Sequence, residues 1–182
     1  MLATRSLELA ASPWLATLYA GSGFIMTTIQ LPNADAKLVY LALQYHLARP
    51  GSELDAQSKR PKEYGLAAIA EELERQLPLA VATIDMNEEQ RRQLDAALSG
   101  AINQVKSSSL LAGGGRSMVP AFDAALRRLF PEVAKEPENA LPLAGELLAL
   151  RRRLASSAAP PNDAPPSTSK RPWWRLWGRG QQ

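Results

Sequence analysis

The chain has 182 residues, of which 46% are hydrophobic and 21% are charged, and these values exclude a wholly disordered protein. It contains no cysteine and a single histidine, His46, which excludes disulfides, thiolate metal sites and any site that needs two imidazoles. Aromatic residues make up only 6%, while alanine and leucine are abundant, so few residues favour strands. The composition therefore predicts a mainly helical globular domain.

Positive charge is concentrated at the C-terminal end of the chain. Residues 1–150 carry 14 Lys and Arg against 17 Asp and Glu, whereas residues 151–182 carry seven Lys and Arg against the single Asp163. The two parts have net charges of −3 and +6, so the overall value of +3 describes neither of them. A mildly acidic body does not attract an anionic surface, whereas a compact basic end does.

The N-terminal segment, residues 1–26, allows three interpretations. Residues 9–34 carry no charge and are long enough for a membrane span, but proline, glycine and threonine residues interrupt them. A basic residue before an apolar run and the small residues at 20–22 fit a secretory signal. The third interpretation takes Met26 as the natural start and residues 1–25 as an upstream extension. We expect this segment to be weakly structured.

Residues 27–155 are predicted to form an all-α domain, a compact bundle of about five helices. Apolar spacing, capping residues and helix breakers place these helices at about 35–48, 65–77, from 87 to the serines at 107–109 or the glycines at 113–115, 120–130 and 140–155. The first helix is apolar on nearly every side, which is typical of a central, buried helix.

Two short segments of this domain are not assigned to helices. Residues 27–32 are predicted as an extended lead into the first helix. Residues 79–84 fit either a buried continuation of the second helix or a short strand, because periodicity does not separate the two over six residues.

The helix that begins at Asn87 has the clearest start signal. Asn87 and Gln90, three residues later, resemble a capping box, in which each side chain accepts a hydrogen bond from the other residue's backbone. Glu88 and Glu89 occupy the first turn, where the helix dipole favours carboxylates. Gly100 lies inside the helix and costs about 1 kcal/mol relative to alanine, unless a neighbouring helix packs closely there.

No motif in the chain indicates catalysis. The cluster Gly113–Gly115 lacks the spacing of a phosphate-binding loop and is interpreted as a hinge between helices. His46, near a helix C-terminus, is interpreted as a residue that gains from the helix dipole without a catalytic role. Glu71-Glu72, Glu88-Glu89 and Asp85 are candidates for a divalent cation, but their polar surroundings favour solvated surface. The sequence therefore predicts no metal and no cofactor; an enzyme with a carboxylate site assembled from distant residues is one alternative.

The C-terminal end consists of a linker followed by a basic aromatic segment. Residues 156–169, the linker, are rich in proline, serine and alanine and are predicted to be disordered, with a reach of roughly 40 Å when extended. Residues 170–182, which we call the Arg/Trp tail, hold three of the chain's four tryptophans. Clustered tryptophans are unfavourable in water, so the tail is predicted to order against a surface.

Projected on a helix, the Arg/Trp tail separates into a basic face and an aromatic face. Its candidate binding residues are Arg171, Arg175 and Arg179 on the first face and Trp173, Trp174, Leu176 and Trp177 on the second. Such a segment fits an anionic membrane interface, a groove on a partner protein or a single-stranded nucleic acid; docking on the chain's own acidic body is a further alternative. The contiguous apolar face favours a membrane or a protein.

The sequence thus predicts a non-enzymatic, cytoplasmic interaction module, with or without a peripheral membrane contact. The helical domain is expected to bind a partner protein or a second copy, while the linker carries the tail to a second surface. A nucleic-acid-associated protein is the other alternative. In that case two secondary basic clusters would contribute, Lys59, Arg60 and Lys62 in a polar loop and Arg151, Arg152 and Arg153 in the final turn of the last helix, where they also complement the helix dipole.

Overall fold

The computed structural model describes residues 17–19, 26–55, 57, 64–110 and 119–157. In chain order its elements are β1 (Thr17–Tyr19), β2 (Met26–Pro32), α1 (Asn33–Leu47), α2 (Leu66–Gln76), β3 (Val81–Asn87), α3 (Glu88–Leu110), α4 (Pro120–Leu129), α5 (Pro131–Lys135), a 3-10 turn (Pro137–Asn139) and α6 (Ala140–Ser157). Every helix predicted from the sequence is present, and each begins within two residues of its predicted start.

The domain is mostly helical, as predicted, but it is not purely all-α, because within the described residues three strands form an antiparallel sheet in the order β1-β2-β3. The extended lead became the central strand β2, which pairs with β3 from Met26 opposite Asn87 to Pro32 opposite Val81. β3 alternates exposed and buried residues along its length. Val81 is exposed although it is apolar, so the sequence of β3 does not alternate between polar and apolar residues from its start. For this reason the periodicity did not identify the strand.

The free edge of β3 is occupied by a side chain of α2. The Gln76 side-chain amide makes the two hydrogen bonds that a neighbouring strand would make to Thr83. Its Nε2 donates to the carbonyl of Thr83 at 3.0 Å, and its Oε1 accepts from the Thr83 N–H at 2.7 Å. The backbone of Thr83 is therefore satisfied on the side that faces away from β2.

The described residues contain six α-helices instead of about five, because Pro131 begins a helix as well as following one. α4 stops at Leu129, one residue before the predicted end at residue 130. α5 then starts with Pro131 in its first turn, where the missing N–H of proline has no cost.

The core surrounds α1, in agreement with its apolar sequence. Eight of its residues are buried: Ala36, Leu38, Val39, Tyr40, Leu41, Ala42, Leu43 and Leu47. It packs against β2, α2, α3, α4 and α6, so it has no side that is fully exposed to water. The buried face of β3, with Ala82, Ile84 and Met86, completes this core.

Gly100 lies where α3 meets α1. A methyl group at position 100 would overlap the ring of Tyr45, so the absence of a side chain permits the close approach of the two helices. Tyr45 also contacts Phe122 of α4 edge-to-face, with the ring centroids 5.8 Å apart. A neighbouring helix therefore packs closely at Gly100, which is the condition under which the sequence predicts that a glycine inside α3 is tolerated.

Candidate functional site

The predicted binding residues divide between described and undescribed parts of the chain. Arg151, Arg152 and Arg153 lie near the end of α6 and are described. The residues of the Arg/Trp tail, Arg171, Trp173, Trp174, Arg175, Leu176, Trp177 and Arg179, and the loop cluster of Lys59, Arg60 and Lys62 lie outside the described residues, as do Gly113–Gly115. The structure therefore describes the base of the linker, where α6 ends.

Arg151 connects α6 to α3. Its Nε and Nη2 donate to Oδ1 and Oδ2 of Asp95 at 2.6 and 2.8 Å, which is the bidentate geometry of a strong arginine–carboxylate pair. The hydrogen bonds from Arg151 hold the pKa of the Asp95 carboxyl below its usual value, and the same contact raises the pKa of Arg151. Both side chains are more than a third exposed, so water and salt screen this pair.

Arg153 connects α6 to the start of α1. Its Nη2 donates to Oδ1 of Asp35 at 2.6 Å, and the Asp35 side chain is only 13% exposed. Arg152, between the two paired arginines, is exposed and forms no ion pair within the described ranges. Because α6 continues to Ser157, the three arginines do not lie in its final turn, where the sequence placed them to complement the helix dipole. Two of them instead connect the helix to its neighbours.

Other arginines of the domain also lie beside carboxylates. The pairs are Arg75 with Glu72, Arg91 and Arg92 with Glu88, Arg92 with Glu89, and Arg128 with Glu74. Arg128 additionally lies over the ring of the buried Tyr40, 5.3 Å from its centroid, so α1, α2 and α4 meet in one cluster. Burial is the main cause of the raised pKa of Tyr40, and the neighbouring Glu74 adds to it.

The carboxylates considered for a cation site do not converge. Asp85, exposed on β3, accepts a hydrogen bond from Oγ1 of Thr28 at 2.5 Å. Glu72, on α2, accepts one from Nε2 of Gln76 at 2.6 Å. Within the described ranges, no group of three or more His, Asp or Glu side chains is placed to hold a metal ion.

Glu53, which the sequence did not single out, closes the loop between α1 and α2. Its Oε2 accepts hydrogen bonds from the backbone N–H groups of Tyr64 and Gly65 at 3.1 and 2.9 Å, and its Oε1 accepts from Ala67. The N–H groups at the start of a helix lack partners inside it, so this carboxylate caps α2. Gly65, at the N-cap position, has no side chain to perform that task.

His46 lies in the last turn of α1 and is half-buried. Its Nδ1 is enclosed and has no hydrogen-bond partner in the described part of the chain. Burial lowers the pKa of the imidazole, the nearby Arg49 lowers it further, and Glu53 opposes the shift. The environment therefore favours the neutral ring, whereas the helix dipole proposed from sequence would favour the charged one.

His46 is expected to make the domain less stable as the pH falls from about 7.5 towards about 5.5. The unfolded chain takes up a proton near the ordinary histidine pKa of 6.5, while the folded chain resists it, so unfolding becomes more favourable over this interval. Urea titrations monitored by circular dichroism should show the decline in the wild type and a flat profile in His46→Gln. An equal decline in both proteins would contradict this assignment.

At lower pH a second loss of stability is expected in both proteins. The pKa values of Asp95, Glu74 and Glu88 are lowered in the folded chain by hydrogen bonds from Arg151, Arg128 and Arg91. Their stabilising effect is present above the unfolded pKa values of 3.8 and 4.5 and disappears as the pH drops through the folded values. This interval lies below that of His46, so the two effects can be separated.

An exposed apolar patch lies at the turn between α2 and β3. Leu79 is 53% exposed and Val81 is 49% exposed, and we call the two the Leu79–Val81 patch. Asn33 holds this turn in place: its Nδ2 donates to the carbonyls of Leu77 and Leu79, the latter at 2.9 Å, and its backbone N–H donates to the carbonyl of Ala80 at 2.9 Å. The patch therefore lies at a turn that hydrogen bonds from α1 hold in place.

None of the described helices combines the length and apolar character needed to cross a membrane. In comparisons with protein-family models, curated proteins and solved structures, nothing matches this chain.

Proposed function

We propose that the protein is a non-enzymatic interaction module. Its helical domain carries a tethered Arg/Trp tail, residues 170–182, which docks on an apolar and anionic surface of a membrane or of a partner protein. The observation that carries this proposal is the co-occurrence of three tryptophans with arginines spaced four residues apart in a segment that follows a proline-rich linker.

The distribution of charge at the end of α6 supports a role for the tail. Arg151 and Arg153 are held by Asp95 and Asp35, so these two side chains contribute little free positive charge to the surface. The basic residues available to an anionic partner at this end of the chain are Arg152 and those of the tail. The tail also contains the aromatic side chains that such a contact would bury.

The strength of this contact is expected to be modest. Each basic residue near an anionic membrane contributes about 1 kcal/mol, so Lys170 and three arginines supply roughly 4 kcal/mol before the tryptophans are counted. That corresponds to a dissociation constant of about 1 mM. Binding of the domain to a partner or to a second copy would raise the effective concentration of the tail and strengthen the complex.

Nucleic-acid binding is the less favoured function. It would draw on Arg151, Arg152 and Arg153, but two of these already bind carboxylates that join α6 to α1 and α3. Phosphates would have to displace both ion pairs. The closely clustered tryptophans of the tail also suit the burial of one apolar patch better than stacking on successive bases.

The test compares the full chain with a form that ends at Ser169 and with the triple variant W173A/W174A/W177A. Flotation with phosphatidylcholine vesicles, with and without phosphatidylserine, measures membrane binding, and affinity capture measures protein partners. A labelled single-stranded oligonucleotide measures nucleic-acid binding. We expect the full chain to bind anionic vesicles or a partner at least about tenfold more tightly than either altered form.

Trp14→Ala, which removes the fourth tryptophan, is the control and should bind like the wild type. If the form that ends at Ser169 retains every interaction of the full chain, the tail does not perform the proposed function. Binding of the oligonucleotide alone, with a steep dependence on salt, would replace the proposal by the nucleic-acid alternative.

A further inference from the structure

We propose that the Leu79–Val81 patch is the resting site of the Arg/Trp tail in the free protein. In this state the tail covers the patch of its own chain, and a foreign surface must displace it. The docking itself is independent of the proposed function; its regulatory consequence rests on that function.

The patch lies close to the point from which the linker starts. Arg153 of α6 binds Asp35, and Asn33, two residues earlier in α1, binds the carbonyl oxygens of Leu79 and Ala80 at 2.9 Å. A single turn of α1 therefore bridges the end of α6 and the patch.

The linker is long enough to bring the tail back to this position. α6 ends at Ser157, one turn beyond Arg153, and residues 158–169 separate it from the tail. At about 3.1 Å per residue these twelve residues extend to roughly 37 Å. This length exceeds the distance from the Arg153–Asp35 contact to the patch, because a single turn of α1 spans that distance. A linker of this length therefore permits a contact within the chain without being fully stretched.

The chemistry of this surface matches both faces of the tail. Pro32 of β2 is paired with Val81, and opposite residues of an antiparallel pair share a face of the sheet, so Pro32 extends the apolar area. Thr83 and Asp85 follow Val81 on the same face at two-residue intervals, and both are exposed. The surface thus has apolar side chains at one end and a carboxylate at the other. The apolar end suits the tryptophans of the tail, and the carboxylate suits its arginines.

Burial of the patch would remove an unfavourable exposure on both partners. Leu79, in the turn after α2, and Val81, at the start of β3, are half-exposed, and burial of apolar area contributes about 25 cal/mol for each Å² removed from water. The acidic body attracts the basic tail over longer distances, so the contact should weaken as salt is added.

The test uses the full chain labelled with ¹⁵N and follows the indole N–H resonances of its tryptophans by NMR. Truncation at Ser169 should shift the backbone resonances of residues 77–85. In the variant L79S/V81T the tail indoles should move to the positions seen in a synthetic peptide of residues 170–182. The control Leu141→Ser alters another exposed leucine (61%) at the opposite end of α6 and should leave the indole resonances unchanged.

Three results would overturn the proposal. The first is that truncation shifts no resonance within residues 77–85. The second is that the tail indoles of the wild type already coincide with those of the free peptide. The third is that their shifts vary with protein concentration, since this would assign the patch to a second copy of the chain instead of the tail of the same chain.

Vesicle binding separates this inference from the proposed function. If the tail rests on the patch, L79S/V81T should bind phosphatidylserine vesicles about three- to tenfold more tightly than the wild type, because the resting state reduces the fraction of chains that can bind. Equal vesicle affinity of the two proteins would overturn the regulatory inference. A failure of both proteins to bind vesicles or partners contradicts the proposed function, while the NMR result on the patch would stand by itself.

Discussion

Phe122→Ala is expected to lower the free energy of unfolding by about 3–5 kcal/mol, the largest loss from any single truncation considered for this domain. The Phe122 side chain is completely buried and packs edge-to-face against Tyr45, whose ring fills the space left by Gly100. Its removal leaves a cavity between α4 and α1, and the cost of that cavity adds to the lost transfer free energy of the ring.

Urea denaturation monitored by far-ultraviolet circular dichroism provides the measurement for Phe122. The matched control is Phe130→Ala, since Phe130 follows α4 and is only partly buried. It should lose less than half as much stability. Equal losses for the two variants would show that α4 does not depend on the contact between Phe122 and Tyr45.

Glu53→Ala should cost about 2 kcal/mol, although the residue belongs to a loop. The substitution deprives the N–H groups of Tyr64, Gly65 and Ala67 of their acceptor at the start of α2. Hydrogen exchange should accelerate at these amides first, and urea denaturation should report the overall loss.

Glu71→Ala is the control for Glu53. It removes an exposed carboxylate from α2 itself and should change stability by less than about 0.5 kcal/mol. If the two variants prove equally stable, the hydrogen bonds from Glu53 do not contribute to the folded state, and the loop between α1 and α2 is held by other contacts.

Features governed by neighbouring residues were predictable from the sequence. The capping box is confirmed: the Gln90 N–H donates to Oδ1 of Asn87 at 2.8 Å, and the Asn87 N–H donates to Oε1 of Gln90 at 2.9 Å. The central position of α1 followed from an apolar character that covers almost every side of the helix. In both cases the signal lies within a few turns of the chain.

Features governed by distant residues were not predictable in the same way. α1 and α2 separate β2 from β3 in the chain. The sequence therefore predicted only an extended segment for β2 and left β3 ambiguous, because their pairing is visible only in the register of the folded sheet. The partners of Arg151 and Arg153 lie 56 and 118 residues away, and packing of α6 selects them from many carboxylates. The aromatic and basic character of the tail, in contrast, could be read directly because it depends on composition alone.

The Gln76 amide beside Thr83 has a consequence for how copies of this protein behave when crowded. A bare strand edge offers its N–H and C=O groups to any neighbouring chain, which is how sheets extend into aggregates. At Thr83 those groups are already bound by a side chain of the same domain. If the tail gathers many copies on one surface, the hydrogen bonds from Gln76 oppose pairing of β3 with a strand of another copy at this position. The domains can then be concentrated on that surface while they remain separate folded units.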